Sequence, residues 1–263
     1  MNPIELITGL GSGMIAGLLG GLLGIGGGIV LMPVLRFLLG LTPAVSAGTC
    51  IVAVFFTSLG GSYRHFRLGH VNMRSLLPVI TAGAISTLIF SLVFLFLTRR
   101  EKWLDLGTGM VFSLISLRMV IEGVGDFRRK KGKEIAGNEI KGSFLEKSLI
   151  GGISGILPGL LGIGTGAILV PAFSFILEAP IKIAIGSSLT CFSVNAFLSS
   201  LMKVFQGFVN FSILLPICLG SLVGSNFGAM LNKRFPSPIL KLLFGLAFSY
   251  VSYQYLDSFV QRR

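Results

Sequence analysis

The sequence predicts an all-α polytopic membrane protein. It reads as about eight transmembrane segments in two four-segment repeats, with the first segment of each repeat broken at a glycine-rich loop. Three observations carry that expectation. The 263 residues are 52% hydrophobic and only 12% charged, about half the charged share of an ordinary soluble domain. The apolar residues gather in runs of about 20 or more, the length needed to cross roughly 30 Å of hydrocarbon, and those runs lack the polar faces of soluble helices. One glycine-broken segment also occurs twice, in the same sequence context, in the two halves of the chain.

The first apolar run covers residues 4–39. A single helix of that length would measure roughly 54 Å at about 1.5 Å per residue, too long for one upright span. The glycines from Gly20 to Gly28 divide it into a helix ending near Leu23 and a short piece beginning near Gly28 and passing Pro33. Interrupted backbone is tolerated at membrane depth only where protein buries it or where it lines a cavity. The N-terminus has no basic leader or small-residue cleavage site, so this run reads as a retained span. Further runs cover 43–63, 73–97 and 104–123, completing a first repeat over 1–124.

A basic stretch follows at 125–147, with Arg128, Arg129, Lys130, Lys131, Lys133, Lys141 and Lys147. The excess of Lys and Arg on cytoplasmic loops makes it the expected cytoplasmic linker. The second repeat, 148–263, holds apolar runs at 148–177, 181–202, 210–231 and 238–257. An offset of 138 carries Gly24 onto Gly162, Gly28 onto Gly166 and Pro33 onto Pro171. The same offset carries Gly48-Thr49 onto Gly186-Ser187, Gly69 onto Gly207, Asn72 onto Asn210 and Pro78 onto Pro216. An ordered set of this kind marks internal duplication. Duplicated halves with discontinuous helices recur in secondary transporters, where substrate lies near mid-membrane between the halves. An anion channel is the alternative, because channels are also duplicated, and an intramembrane enzyme is the third class.

The glycines fall into two groups. Gly9, Gly13, Gly17 and Gly21, then Gly151, Gly155 and Gly159, then Gly220, Gly224 and Gly228, recur every fourth residue. That spacing bares one helix face for close packing, between the halves or between two copies of the chain as a homodimer. The clusters Gly24–Gly28 and Gly162–Gly166 instead free backbone N–H groups and expose the positive end of a short helix. Such a pair of features favours an anion without any charged side chain. The expected cradle is Gly26, Gly27 and Gly28 with Gly164, Thr165 and Gly166. The polar residues of the second span of each half, Thr49, Ser187, Ser188 and Asn195, are the expected neighbours. The chemistry implied is binding of a small anion, with membrane lipid as the surrounding partner.

Other patterns carry less. The net charge of +12 sits between the apolar runs, where the positive-inside rule accounts for it, so nucleic acid is not an expected partner. Cys50, Cys191 and Cys218 lie in apolar runs with no ligand spacing, and no metal or cofactor is expected. Gly162-x-Gly164-x-x-Ala167 matches a dinucleotide fingerprint but follows no strand. Ser154, in Gly152-Ile153-Ser154-Gly155, would need a base within reach to serve as a nucleophile, and the two histidines, His65 and His70, stand in a loop region after the second span. The chain is not expected to be an enzyme. Arg118 and Glu122 stand four apart on one helix face and are expected to pair.

With these residues in place, the chain resembles the TauE/SafE family of membrane permeases. The resemblance rests on Gly-Leu-Leu-Gly-Ile-Gly-Gly-Gly from Gly21, Pro33, Gly48-Thr49 and Arg67-Leu68-Gly69-His70-Val71-Asn72. It is repeated at Gly159–Pro171, Gly186-Ser187 and Gly207-Phe208-Val209-Asn210. The family often has an acidic residue where this chain has Asn72 and Asn210. The resemblance implies export of small sulfur-containing anions, such as sulfite, sulfoacetate or related organosulfonates, across the cytoplasmic (cell inner) membrane.

Overall fold

The computed structural model describes residues 3–24, 26–128, 140–231 and 237–261. All regular structure among them is helical. The order is α1 (Pro3–Leu23), α2 (Gly28–Pro33), α3 (Pro43–Arg67), α4 (Met73–Thr98), α5 (Glu101–Arg128), α6 (Phe144–Leu160), α7 (Gly166–Pro171), α8 (Ile181–Phe205), α9 (Phe211–Leu231) and α10 (Ser237–Gln261). Among the described residues five stretches are long and apolar enough to cross a membrane: Pro43–Arg67, Met73–Thr98, Glu101–Gly125, Ile181–Phe205 and Phe211–Gly228. Shorter apolar helices cover Leu6–Leu22 and Gly28–Leu38. Of the basic stretch at 125–147, Arg129, Lys130, Lys131 and Lys133 lie outside the described residues.

Local chemistry sets several boundaries. Thr42 caps α3 by accepting from the Val45 N–H, with Pro43 at the first helical position, where its missing donor costs nothing. Ser143 and Glu146 form a reciprocal capping box at the start of α6, which satisfies two otherwise orphaned N–H groups. Short helices α2 and α7 both end at a proline, Pro33 and Pro171, and both continue as one wide turn, Val34–Leu38 and Ala172–Ile176. Proline withdraws the N–H that would hold the ordinary register. The ladder then resumes one residue wider, with Leu39 N–H bonding Val34 O at 2.9 Å and Leu177 N–H bonding Ala172 O at 3.1 Å.

The chain forms two compact units, Met1–Phe96 with Ile135–Asn232, and Leu97–Glu134 with Lys233–Arg263. Each draws on both halves of the sequence. In the larger unit α1 lies along α9. A Cβ added at Gly13, Gly17 or Gly21 would stand 2.3 Å from the carbonyl oxygens of Ile217, Ser221 and Ser225 respectively, and Gly220, Gly224 and Gly228 meet Leu10, Met14 and Leu18 in return. Helix α6 lies on α4 in the same manner, Gly151 against Val79 and Gly155 against Gly83. Thr87 Oγ1 donates to Gly155 O across that seam at 3.1 Å. The four-residue glycine faces are therefore filled within the chain, each half lending its first helix to the other half's third long helix. In the smaller unit α5 pairs with α10. Ser116 donates to Gly245 O at 2.8 Å, Ser252 donates to Gly109 O at 2.9 Å, and Phe112 stacks on Tyr255.

Helices α3 and α8 pack against each other and are largely buried, whereas α4 turns Ile85, Leu88, Ile89, Leu92 and Phe96 outward. An exposed face of that composition suits lipid, not water. Arg118 and Glu122 pair as expected, Nε to Oε1 at 2.7 Å. Snorkelling is the ordinary account of charges at span ends, but two residues depart from it. Arg36 is buried, donates to Leu41 O at 3.1 Å and lies over the Phe37 ring. Glu178 pairs with Lys141 at 2.9 Å.

Candidate functional site

The two helix breaks come together at the centre of the larger unit. In the first, Gly24, Gly26 and Gly27 have φ of 72°, 78° and 73°, a left-handed region that costs a side chain roughly 1–2 kcal/mol. The Gly27 carbonyl then accepts from both Val30 and Leu31 at 3.1 Å and starts α2. In the second break only Gly162 is left-handed, at φ 68°. Thr165 stands where the first copy has Gly27, and its backbone is right-handed (φ −90°, ψ −4°). A β-branched residue does not take the left-handed turn, so the same start is made by another route. The Thr165 carbonyl accepts from Ile168 and Leu169 at 2.9 Å. In both breaks the first amides of the short helix have no acceptor within that helix.

The breaks touch each other. A Cβ added at Gly28 would lie 2.9 Å from the Gly164 amide nitrogen. Gly24, Gly26, Gly27, Gly28 and the whole run Gly162–Gly166 are buried. Helices α3 and α8 wall them from both sides, each crossing to the other half's break as well. From α3, Cys50 Sγ donates to Gly28 O at 3.6 Å, and Ala47 O would stand 2.1 Å from a Cβ at Gly162. From α8, Ser188 Oγ donates to Gly24 O at 3.5 Å, while Ile185 packs on Gly24 and Phe192 on Gly26.

Of the expected neighbours, one touches a break and two others make contacts elsewhere. Ser188 is at the first break. Thr49 accepts the Asn210 N–H at 3.0 Å, which ties α3 to the turn before α9. Asn195 is 1% exposed and faces Gly83 of α4, with both amide atoms unpartnered. Thr165 and Ser187 are fully buried and their hydroxyls are also unpartnered. A buried polar group without a partner costs about 1–3 kcal/mol. Three of the residues singled out from the sequence, Thr165, Ser187 and Asn195, therefore hold unmet hydrogen-bonding capacity, and Thr165 holds it within the second break.

Phe192 lines the first break without having been expected there, and its only sequence signal is the helical spacing that puts it with Ser188 on one face. Cys50, which the offset of 138 carries onto Ser188, lines the same break. Ser154 Oγ donates to Gly151 O at 2.8 Å within its own helix, a structural use. Among the described residues no cluster of side chains suits a metal ion. A cavity of about 440 Å³ lies at the start of α4, lined by Gly69, His70, Val71, Asn72, Met73, Arg74 and Ile183. Behind it the Nδ1 atoms of His65 and His70 are 3.3 Å apart.

The family model described as Sulfite exporter TauE/SafE matches residues 9–255. The chain is similar to "Probable membrane transporter protein YunE" of Bacillus subtilis (strain 168), 25% identical over 245 residues that cover 88% of this chain and 90% of that one. It is 28% identical over 245 residues to a "Probable membrane transporter protein" of Xylella fastidiosa (strain Temecula1), covering 92% and 91%. It is 27% identical over 256 residues to "Probable membrane transporter protein MJ0441" of Methanocaldococcus jannaschii, covering 92% and 90%. No solved structure matches it.

Proposed function

The chain belongs to the TauE/SafE sulfite exporter family, and from that premise we propose that this multi-pass membrane transporter is a secondary exporter of small sulfur-containing anions. Sulfite, sulfoacetate and related organosulfonates are the substrate class, and the cytoplasmic (inner) membrane is the location. The architecture in this reading is eight segments in two repeats, 1–124 and 148–263, joined by the cytoplasmic linker 125–147. Its support is the same break, followed by the same proline and wide turn, at matching positions of each half.

The carrying observation is the contact between the two breaks, Gly28 against the Gly164 amide, in a buried setting with the Thr165 hydroxyl unpartnered. The amides of Gly26–Gly28 and Gly164–Gly166 supply donors, and the two short helices point their positive ends at the junction. Donors with no ionised side chain suit an anion whose charge is spread over several oxygens. Ser187, Ser188, Asn195 and Thr49 furnish the surrounding hydroxyl and amide groups. Because the breaks close on each other here, an anion between them requires the halves to part, the motion expected of alternating access.

Anion binding to the purified protein tests the assignment. Sulfite and a sulfonate are expected to bind in preference to acetate, and sodium alone is expected to give no saturable signal. Thr165→Val removes one hydrogen bond to a charged group, about 1.5–3 kcal/mol, so affinity for sulfite falls by about tenfold or more. A preference for a cation, or unchanged affinity in Thr165→Val, contradicts the site.

A further inference from the structure

Helix α8 carries a lysine that the glycine breaks do not explain. Lys203 is 0% exposed, one turn before the turn that leads into α9. Its ammonium donates to Gly159 O at 3.0 Å and lies 2.8 Å from the centroid of the Phe94 ring. Among the described residues no carboxylate pairs with it. A carbonyl and a ring face offer partial negative charge only, and a buried cation of this kind ordinarily faces a counter-ion or marks an ion path.

Beyond the Phe94 ring and the Gly159 carbonyl, the helices that meet here carry incompletely bonded polar groups. Gly159, its carbonyl partner, packs on α4 so closely that an added Cβ would be 3.1 Å from the Ser91 nitrogen. The Gln206 carboxamide donates from Nε2 to Ser91 O at 2.9 Å, so Ser91, Gly159, Lys203 and Gln206 meet at one junction of α4, α6 and α8. Ser200 stands three residues before Lys203, on the same face of α8. The hydroxyls of Ser91 and Ser200 and Oε1 of Gln206 are buried without partners. Three groups here can donate, the ammonium, which also bonds one carbonyl, and two hydroxyls, each of which can also accept, and one carboxamide oxygen accepts only. Gly159 lies in the last turn of α6, directly before the second break at Gly162–Gly166.

We propose that Lys203, with Ser91 and Ser200, forms a second anion station at the α4–α6–α8 junction, taking a small oxyanion such as sulfite or a sulfonate headgroup. The substrate class rests on the transport reading above; the station itself rests on the buried ammonium and its unmet donors. The anion supplies the counter-charge that Lys203 lacks, and the three donors meet separate oxygens of one pyramidal or tetrahedral group. At the offset of 138, Lys203 falls on His65, whose ring lies against that of His70. The station therefore belongs to the second half, and the duplicated halves are chemically unequal there.

Calorimetric titration of sulfite into the full-length protein in detergent tests it. Lys203→Met keeps the buried stem and removes the charge, so it is expected to fold and to weaken sulfite binding by about tenfold or more. Lys203→Arg is expected to retain affinity within a few-fold, and Ser200→Ala to lose about tenfold. Sulfite should raise the thermal midpoint of the wild-type protein by more than it raises that of Lys203→Met. Unchanged affinity in Lys203→Met overturns the station, as does protection of the wild type by sodium or tetramethylammonium in place of sulfite. If Lys203→Met does not fold, unchanged affinity in both Ser91→Ala and Ser200→Ala overturns it instead. Loss in Lys203→Met with no change in Thr165→Val supports this station and contradicts the one at the breaks, and the reverse result contradicts this one alone.

Discussion

At the residue scale, the first break depends on positions that only glycine fills. Gly27 has φ 73°, and a Cβ there would stand 2.5 Å from the Ala16 carbonyl oxygen. Gly27→Ala is therefore expected to destabilise the protein by roughly 2–5 kcal/mol, from backbone strain and the clash together. A lowered thermal midpoint checks it, and an unchanged one contradicts the geometry. Thr165→Val should behave oppositely, holding or raising the midpoint because it removes an unpartnered buried hydroxyl. Lys141 is a third case, outside the spans. The Glu178 carboxylate, by hydrogen bond and by charge, raises the Lys141 pKa above its ordinary value. A raised pKa means the pair's contribution is fully present below the unfolded lysine value and is lost as pH rises through the folded one. Being fully exposed, the pair should leave stability near neutral pH almost unchanged on Lys141→Ala. A large loss of midpoint there would show a role beyond this surface pair.

At the element scale, the α1–α9 and α6–α4 seams are the points where a methyl group decides the packing. Gly17→Ala places a Cβ 2.3 Å from Ser221 O, and Gly155→Ala places one 2.3 Å from Gly83 O. Each should cost roughly 1–3 kcal/mol through overpacking. Gly11→Ala, where nothing lies within 4 Å, should be neutral or stabilising by up to about 1 kcal/mol. Thermal midpoints of the three variants in detergent check the contrast, and a Gly11→Ala cost equal to that of Gly17→Ala would contradict the seam. These seams also mark the limit of what sequence conveys. The clusters at Gly24–Gly28 and Gly162–Gly166 are legible because glycines crowded into one short run, unlike those spaced by four within α1, α6 and α9, let the backbone leave the helix. The four-residue spacing shows a bare face but not its partner, since α9 as a partner for α1 depends on a chain reversal some 190 residues away. Lys203 was illegible for a related reason: the apolar run 181–202 ends one residue before it, where a basic side chain ordinarily reaches the lipid headgroups. Only the approach of α4 and α6 buries it. The bond from Asn210 to Thr49 likewise arises between distant segments, and no local spacing foretells it.

At the scale of the whole molecule, composition alone made a helical membrane protein readable, and the ordered glycine, proline and asparagine matches are what the proposed two-repeat reading rests on. Composition carries no information on how the helices group, because α5 and α10 end their respective halves and still pair with each other in one unit. The account's central claim is that a sulfur oxyanion crosses by being held where Gly26–Gly28 meets Gly164–Gly166. Flux of labelled sulfite in proteoliposomes, measured with and without unlabelled sulfite on the opposite side, tests it most directly. A transporter of alternating access is expected to give saturable flux that is accelerated by sulfite on the far side. Gly28→Val, whose side chain would enter the contact with the Gly164 amide, is expected to abolish it while the protein stays folded. Flux that rises linearly with concentration, ignores the opposite compartment and survives Gly28→Val would contradict the account and favour a continuous pore.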